Sequence, residues 1–457
     1  MNEIQQNEKK AKLKIPKDLV ALNKLFESNG FVLYIVGGYI RDYFLKIPTT
    51  DIDICSSAKP EDLERMLKGT NFVFTLINKR LGTYKISTKN KSCSFEYTTF
   101  RKERYDQGHC PSYIEFVGTV EEDAERRDFT VDCIYYNLQT KEYFDPYDGI
   151  TDCNRRRLRT IHDQVFNVDG LRILRMLRIA YTKNLQIDRT TYSKALRKMH
   201  LLDEISHERI ARELRAMFVF QQSGYKFKKV RFSEEDLVRI LAILPISKNI
   251  FPEISKEADF DILFSLFEFP EGIGNLAKYD LIIALVYLFV TNVEKTNQVE
   301  VSGEFYMDLL GSKGLMLPHS VALKYRVIVD GLVTLNKMYE KSLFINYIQL
   351  YFPFLEEIEM ARRALMRGDN DENLQRIIST NKLMLANNIP RSIVEINVTV
   401  QDILTKWPNL PKNQISVFLE GALLIATTSR INEKDFLLKE LEKLYEIILK
   451  DENKNDK

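Results

Sequence analysis

Residues 34–55 read YIVGGYIRDYFLKIPTTDIDIC. The stretch sets two glycines, an Arg-Asp pair and a D-I-D triplet between apolar runs that belong in a core. Side chains alternate across a strand, so residues two apart leave the same face. Asp51 and Asp53 are therefore expected to point one way, with Ile52 and Ile54 packing behind them. Two like charges held side by side are costly alone and become favourable when divalent cations sit between them. A third carboxylate, Glu96, stands between Phe95 and Tyr97 in the strand-like FEYTTFR. Three acids on adjacent strands can hold two magnesium ions, one activating a hydroxyl and one neutralising a triphosphate. By itself D-x-D also fits a polar strand end.

The glycines upstream narrow the choice. Gly37 and Gly38 close the run LYIV where a helix is expected to start, at Tyr39 to Phe44. Glycine lets backbone N–H groups approach phosphate oxygens, and a helix N-terminus adds partial positive charge. Arg41 can reach the same phosphates, with Asp42 orienting it.

Working outward, 457 residues allow two or more cores. Hydrophobic residues at 45% and charged residues at 28% exclude a disordered chain. The 66 basic and 64 acidic residues nearly cancel, so a polyanionic partner requires local segregation of charge. Five cysteines, Cys55, Cys93, Cys110, Cys133 and Cys153, form no C-x-x-C pair and point to a reducing, cytoplasmic setting. The longest apolar run, LIIALVYLFV at 281–290, is about half of a bilayer span and reads as a buried helix. No membrane partner is expected. The polar, lysine-rich residues 1–16 read as a frayed start and the closing DENKNDK, 451–457, as disordered.

From Leu19 to about Tyr147, short β-branched and aromatic runs bounded by Gly, Asn and Pro read as strands, among them NFVFTLI, TYKIST, CSFEYTTF, YIEFVG and TVDCIYYNL. DLVALNKLFESNG and KPEDLERMLKG read as helices ending at a glycine. The first third is thus α/β or α+β. After Arg159, segments such as DGLRILRMLRIAYTKN, ISHERIARELRAMFVF, DLVRILAIL, FSLFEF and KDFLLKELEKLYEIILK carry spacing near 3.6, so the remainder is helical.

Taken in order, GGYIRD, DID, FEYTTFR, EEDAERRDFTVDCIYYN and DGLRILRMLRIA resemble the class II tRNA nucleotidyltransferase (CCA-adding) and bacterial poly(A) polymerase family. The resemblance implies an α+β nucleotidyltransferase head with a mixed β-sheet, followed by an all-α neck, body and tail. On this chain the head falls at 17–150, the neck at 151–220, the body at 221–350 and the tail at 351–450. It implies that Asp51 and Asp53 bind two Mg2+ ions with Glu96 as third carboxylate, and that Gly38, Arg41 and Arg127 contact nucleotide phosphates or ribose. Asp128 comes near the ribose. The implied partners are tRNA, CTP and ATP, with no DNA.

Asp169, Arg172, Arg175 and Arg178 recur every three residues, which predicts one stripe on one helix among Leu171, Ile173, Leu174, Leu177 and Ile179. A partly buried charge needs a partner. Cytosine and adenine each offer an amino donor beside a ring-nitrogen acceptor, which a carboxylate and a guanidinium match; uracil and guanine present the reverse. Asp169 and Arg172 can therefore accept C and A and reject U and G, as the family's E-D-x-x-R segment is understood to do.

The chain also departs from the family. Val168 stands for the usual Glu, Gly170 for Pro, His109-Cys110 for two arginines, Val131-Asp132-Cys133 for Ile-Asn-Ala, and Thr399 for the glycine of a tail turn. These departures leave open a split enzyme adding only CC or only A, or a poly(A) polymerase; a non-catalytic RNA-binding module is disfavoured by retention of all three acids. NRRRLR at 154–159 and YKFKKVRF at 225–232 both read as RNA-contacting surfaces or as solvated faces.

Overall fold

The computed structural model describes residues 13–105, 111–233, 236–237, 240–241, 280–297, 300–338, 343–365 and 371–455. Cys110, His109, FSLFEF and most of DLVRILAIL lie outside them. The chain forms two compact units, Met1–Lys256 and Glu257–Lys457.

In the first unit, α1 (Lys17–Ser28) buries Leu19, Leu22 and Phe26 at helical spacing. Each such side chain contributes about 1.5–3 kcal/mol when withdrawn from water. Then follow β1 (Tyr34–Val36), α2 (Gly38–Leu45), β2 (Asp53–Ser56), α3 (Pro60–Leu67), β3 (Phe72–Asn78), β4 (Thr83–Thr88) and β5 (Ser94–Thr99). Beyond these come β6 (Arg101–Arg104), β7 (Tyr113–Phe116), α4 (Val120–Ala124), a 3-10 turn at Thr130–Asp132, β8 (Tyr135–Asn137) and β9 (Tyr143–Phe144). The sheet runs β3-β4-β5-β2-β1-β8-β9. It is mixed, because β2 and β5 are parallel while the other neighbours are antiparallel. β6 and β7 form a separate antiparallel hairpin.

After the sheet, α5 (Gly149–Arg155) leads to β10 (Arg157–Leu158), α6 (Val165–Val168), α7 (Arg172–Lys183), β11 (Gln186–Ile187), α8 (Arg189–Lys198) and α9 (His207–Gln222). α7 packs on α9, and Ile173, Leu174, Met176 and Leu177 of α7 and Ile210, Leu214 and Met217 of α9 are all buried.

The α-helices among the described residues of the second unit, which hold no strand, are α10 (Leu281–Asn297), α11 (Gly303–Leu310), α12 (His319–Asn336), α13 (Leu343–Tyr351), α14 (Leu355–Leu365), α15 (Glu372–Ala386), α16 (Val400–Lys406), α17 (Ile415–Ser429) and α18 (Lys434–Asn455). Residues 281–290 are all buried, as expected of a core helix. Among the described residues no helix is long and apolar enough to cross a membrane. Thr399 caps α16 in a reciprocal capping box with Asp402, a use of its hydroxyl that a glycine could not offer. The C-terminal residues expected to be disordered instead continue α18 as far as Asn455.

Candidate active site

Gly37 ends the β1 segment with φ +75°, a conformation that favours glycine, and caps the N-terminus of α2. A Cβ built there would lie 3.8 Å from Asp53 Oδ2 and 3.9 Å from Arg127 Nη1, so this backbone corner faces both. β1 pairs with β2 so that Val36 opposes Asp53, and β2 pairs with β5 so that Asp53 opposes Glu96. The two carboxylates are thereby neighbours across adjacent strands, and both are exposed.

Asp51 departs from expectation in one respect. The strand begins at Asp53, and Asp51 lies two residues ahead of it on exposed, unpaired backbone, since Pro48 and the two threonines after it give the chain no ladder to join. Among the described residues no three His, Cys, Asp or Glu side chains already close around a point. The donors present are nonetheless all hard carboxylate oxygens, the kind magnesium takes. Their crowding is visible in Asp53: enclosure by the surrounding protein, then Glu96, Asp132 and Asp51, push its pKa up to about 6 against the pull of Arg127.

Gly38 opens α2, and Arg41 one turn later is buried. Its guanidinium donates to Asp42 Oδ1 at 2.8 Å and to Asp132 Oδ1 at 2.5 Å. Burial alone would disfavour this charge, but Asp132 and Asp42 outweigh it and hold the pKa above the ordinary arginine value. Asp42 does orient Arg41, as its sequence position suggested. Asp132 is a second partner that the sequence reading did not assign to it. Asp42 also accepts from Lys183 Nζ at 2.8 Å, tying α2 to the end of α7.

Arg126 and Arg127 are both largely withdrawn from water and share Asp123. Arg127 donates to the Tyr135 hydroxyl at 2.6 Å and to Asp123 at 3.2 Å, and lies over the Tyr135 ring. Arg126 donates to Asp123 Oδ1 at 2.8 Å. Asp128 is buried and accepts from Arg175 Nε at 2.7 Å. Burial would raise its pKa, yet Arg175 and Arg172 hold it at about 2.

The expected stripe also needs correction. α7 starts at Arg172, and Asp169 precedes it in extended backbone, φ −152° and ψ 111°. Its carboxylate accepts the Leu171 N–H at 3.0 Å, a local bond that competes with helix, and pairs with Arg209 on α9. Arg172 donates to the carbonyls of Arg126 at 2.9 Å and Val165 at 3.4 Å. Arg178 pairs with Glu213 on α9 at 2.5 Å. Each arginine of the stripe therefore has a partner. Gly170 is explained by close approach, since a Cβ there would stand 2.8 Å from Leu201.

A cavity of about 360 Å³ opens beside Arg172 and Val168, walled by Arg126 and by Glu103, Arg104 and Tyr113 of the β6–β7 hairpin. Sequence reading missed β6, because RKER looks like a charged loop. The signal lay in alternation: Arg101 and Glu103 turn inward and pair at 2.7 Å.

Residues 33–159 match a family described as the poly A polymerase head domain. Over 209 residues the chain is 35% identical to the CCA-adding enzyme of Lactococcus lactis subsp. cremoris (strain MG1363), covering 44% of this chain and 50% of that enzyme. It is 33% identical over 206 residues to the CCA-adding enzyme of Anoxybacillus flavithermus, covering 44% and 50%. The chain thus spans about half the length of the curated relatives it matches. Its fold is similar to that of the Bacillus stearothermophilus CCA-adding enzyme in complex with CTP, with 19% identity, TM-score 0.57 and coverage of 94% and 98%. The Thermotoga maritima CCA-adding enzyme complexed with tRNA-CCA gives 15% identity, TM-score 0.61 and coverage of 94% and 96%.

Proposed function

We propose that this chain, whose residues 33–159 match the poly A polymerase head domain, is a class II template-independent tRNA nucleotidyltransferase. It adds CCA, or part of it, to tRNA 3′ ends from CTP and ATP and releases pyrophosphate. The observation that carries this reading is the placement of Asp53 and Glu96 side by side on paired strands, with Asp53 facing the Gly37 corner at the start of α2.

The 3′-hydroxyl oxygen bonds to the α-phosphorus, the bond from that phosphorus to the bridging oxygen breaks, and pyrophosphate leaves. Little covalent chemistry falls to the protein, so positioning and electrostatics supply the catalysis. The Gly37–Gly38 backbone and Arg127 face the triphosphate. Asp51, Asp53 and Glu96 would hold Mg2+, which when bound supplies neutralisation of the triphosphate and activation of the attacking hydroxyl.

Asp169 and Arg172 select the base. Arg172 lines the cavity, and its guanidinium has more N–H donors than the contacts to Arg126 and Val165 use, so it retains capacity toward a Watson–Crick edge. Residues 17–150 act as head, 151–220 as neck, 221–350 as body and 351–450 as tail. Val168 beside the cavity favours a second reading, a split enzyme adding only CC or only A, because no carboxylate at that position braces Arg172.

The test is incorporation by purified protein on tRNA transcripts ending before CCA, after C and after CC, with each labelled nucleotide in turn. Addition of C, C and A followed by arrest is expected. Unlimited A on any RNA would make it a poly(A) polymerase, C-only or A-only addition a split enzyme, and no incorporation a binding module.

A further inference from the structure

The two basic stretches that look alike in sequence part company in the fold. In NRRRLR, Arg157 and Arg159 pair with Asp152 at 2.6 and 3.1 Å, and Arg156 donates to the Leu45 carbonyl at 2.6 Å. These three cations are spent on internal partners. In YKFKKVRF, Lys226, Lys228, Lys229 and Arg231 are all exposed, and none has an ion-pair partner among the described residues. Asp236, a little further on, is engaged by Ser233.

Such a cluster of like charge repels itself, yet its backbone is held in place. Asn184, buried and in left-handed conformation at the end of α7, donates to the Lys229 carbonyl at 2.6 Å and accepts from the Arg231 and Phe232 N–H groups. Phe232 is buried as an anchor. Upstream, Phe227 stacks on Phe220 with centroids 6.1 Å apart, Phe220 meets Tyr181 of α7 at 5.5 Å, and Tyr225 meets Phe227 edge-on at 5.0 Å while 44% exposed. The strap is thus fastened downstream to the end of the helix that begins with Arg172, and upstream to Phe220 of α9, which itself meets that helix. Twelve residues of helix place the strap about 17 Å from Arg172.

We propose that residues 225–231 form a contact for the sugar–phosphate backbone of the tRNA primer, with Tyr225 offering an aromatic face to a base. This rests on the tRNA reading above. Unpaired cations on a fixed strap meet phosphates without first giving up internal partners, and interleaved aromatics suit RNA better than an acidic protein surface.

The test uses the full chain. Binding to a labelled tRNA transcript lacking CCA is measured from 50 to 200 mM KCl for wild type, for K226A/K228A/K229A/R231A, and for K24A/K68A/K79A/K89A, which removes the same charge from exposed lysines elsewhere in the unit. Each phosphate contact contributes roughly 0.7–0.9 to the slope of log affinity against log salt, so loss of four flattens it by about 3. The wild-type advantage over the strap variant then grows by a few tens-fold at the lower salt. Equal slopes for wild type and strap variant would overturn the proposal, as would an equal loss in the control variant. Wild type that binds but never extends tRNA would remove the enzyme reading and leave the strap legible in the isotherms. Wild type that binds no tRNA would remove both.

Discussion

Asp53 and Glu96 oppose one another across the parallel pairing of β2 and β5, forty-three positions apart in the chain. Enclosure by the surrounding protein, then the Glu96 carboxylate, pushes the pKa of Asp53 up to about 6. The apo protein therefore holds its charge cluster against its own stability.

Replacing Asp53 with Asn should abolish nucleotide incorporation while stabilising the fold. Because the folded pKa lies above the unfolded one, the wild-type protein loses stability as pH rises from about 4 to about 6, where only the unfolded chain ionises freely. At pH 7–8 the variant should gain roughly 1 kcal/mol, a two-unit shift discounted for solvent screening at an exposed group. Melting curves at pH 4 and pH 8 check this; unchanged incorporation would end the catalytic assignment.

Magnesium should erase part of that difference. A cation between the carboxylates favours their ionised forms, so wild-type melting temperature at pH 7 should rise on adding MgCl2, and the rise should shrink in Asp53→Asn. Equal responses in both proteins would place any bound ion elsewhere.

Asp128 offers the opposite sign. Its folded pKa of about 2 lies below the unfolded value, so the stability it contributes is present above pH 4 and lost as pH falls toward 2. Asp128→Asn should cost roughly 2 kcal/mol at neutral pH, less than a fully buried pair because Arg175 is partly in water. Its acid denaturation profile should be flatter than that of wild type between pH 4 and 2.

These pairs explain what could be read in the sequence. Gly37, Gly38, Asp53 and Glu96 stand out because turn chemistry and strand alternation are local, and a carboxylate between Phe95 and Tyr97 is anomalous wherever the strand lies. The partners of the arginines are not local. Arg175 finds Asp128 47 positions away and Arg178 finds Glu213 35 away, so spacing on α7 could mark the arginines but not say what they hold. Periodicity puts Asp169 on the helix because spacing cannot see its side chain capturing the Leu171 N–H.

Base choice should respond to Asp169 and to the residue that holds it. Asp169→Ala should relax rejection of UTP and GTP by ten- to a hundredfold in kcat/KM, the scale of one buried hydrogen-bonded contact. Arg209→Met should act in the same direction more weakly, by loosening the carboxylate that Arg209 engages from α9. Four-nucleotide competition assays decide; unaltered preference in Asp169→Ala would make this segment structural.

Asp132 tests whether the head's charges act as one system. It pairs with Arg41 and also raises the pKa of Asp53. Asp132→Asn keeps the shape and removes the charge, leaving Arg41 with Asp42 alone. Asp53 should then ionise more readily, and the acid limb of the incorporation profile at limiting magnesium should move to lower pH. Arg41 loses one of two carboxylates in a buried site, at a cost of roughly 1–3 kcal/mol in stability. A purely structural role predicts the stability loss without the shifted limb. A limb that stays in place would therefore separate the Arg41 network from the carboxylates of the strands.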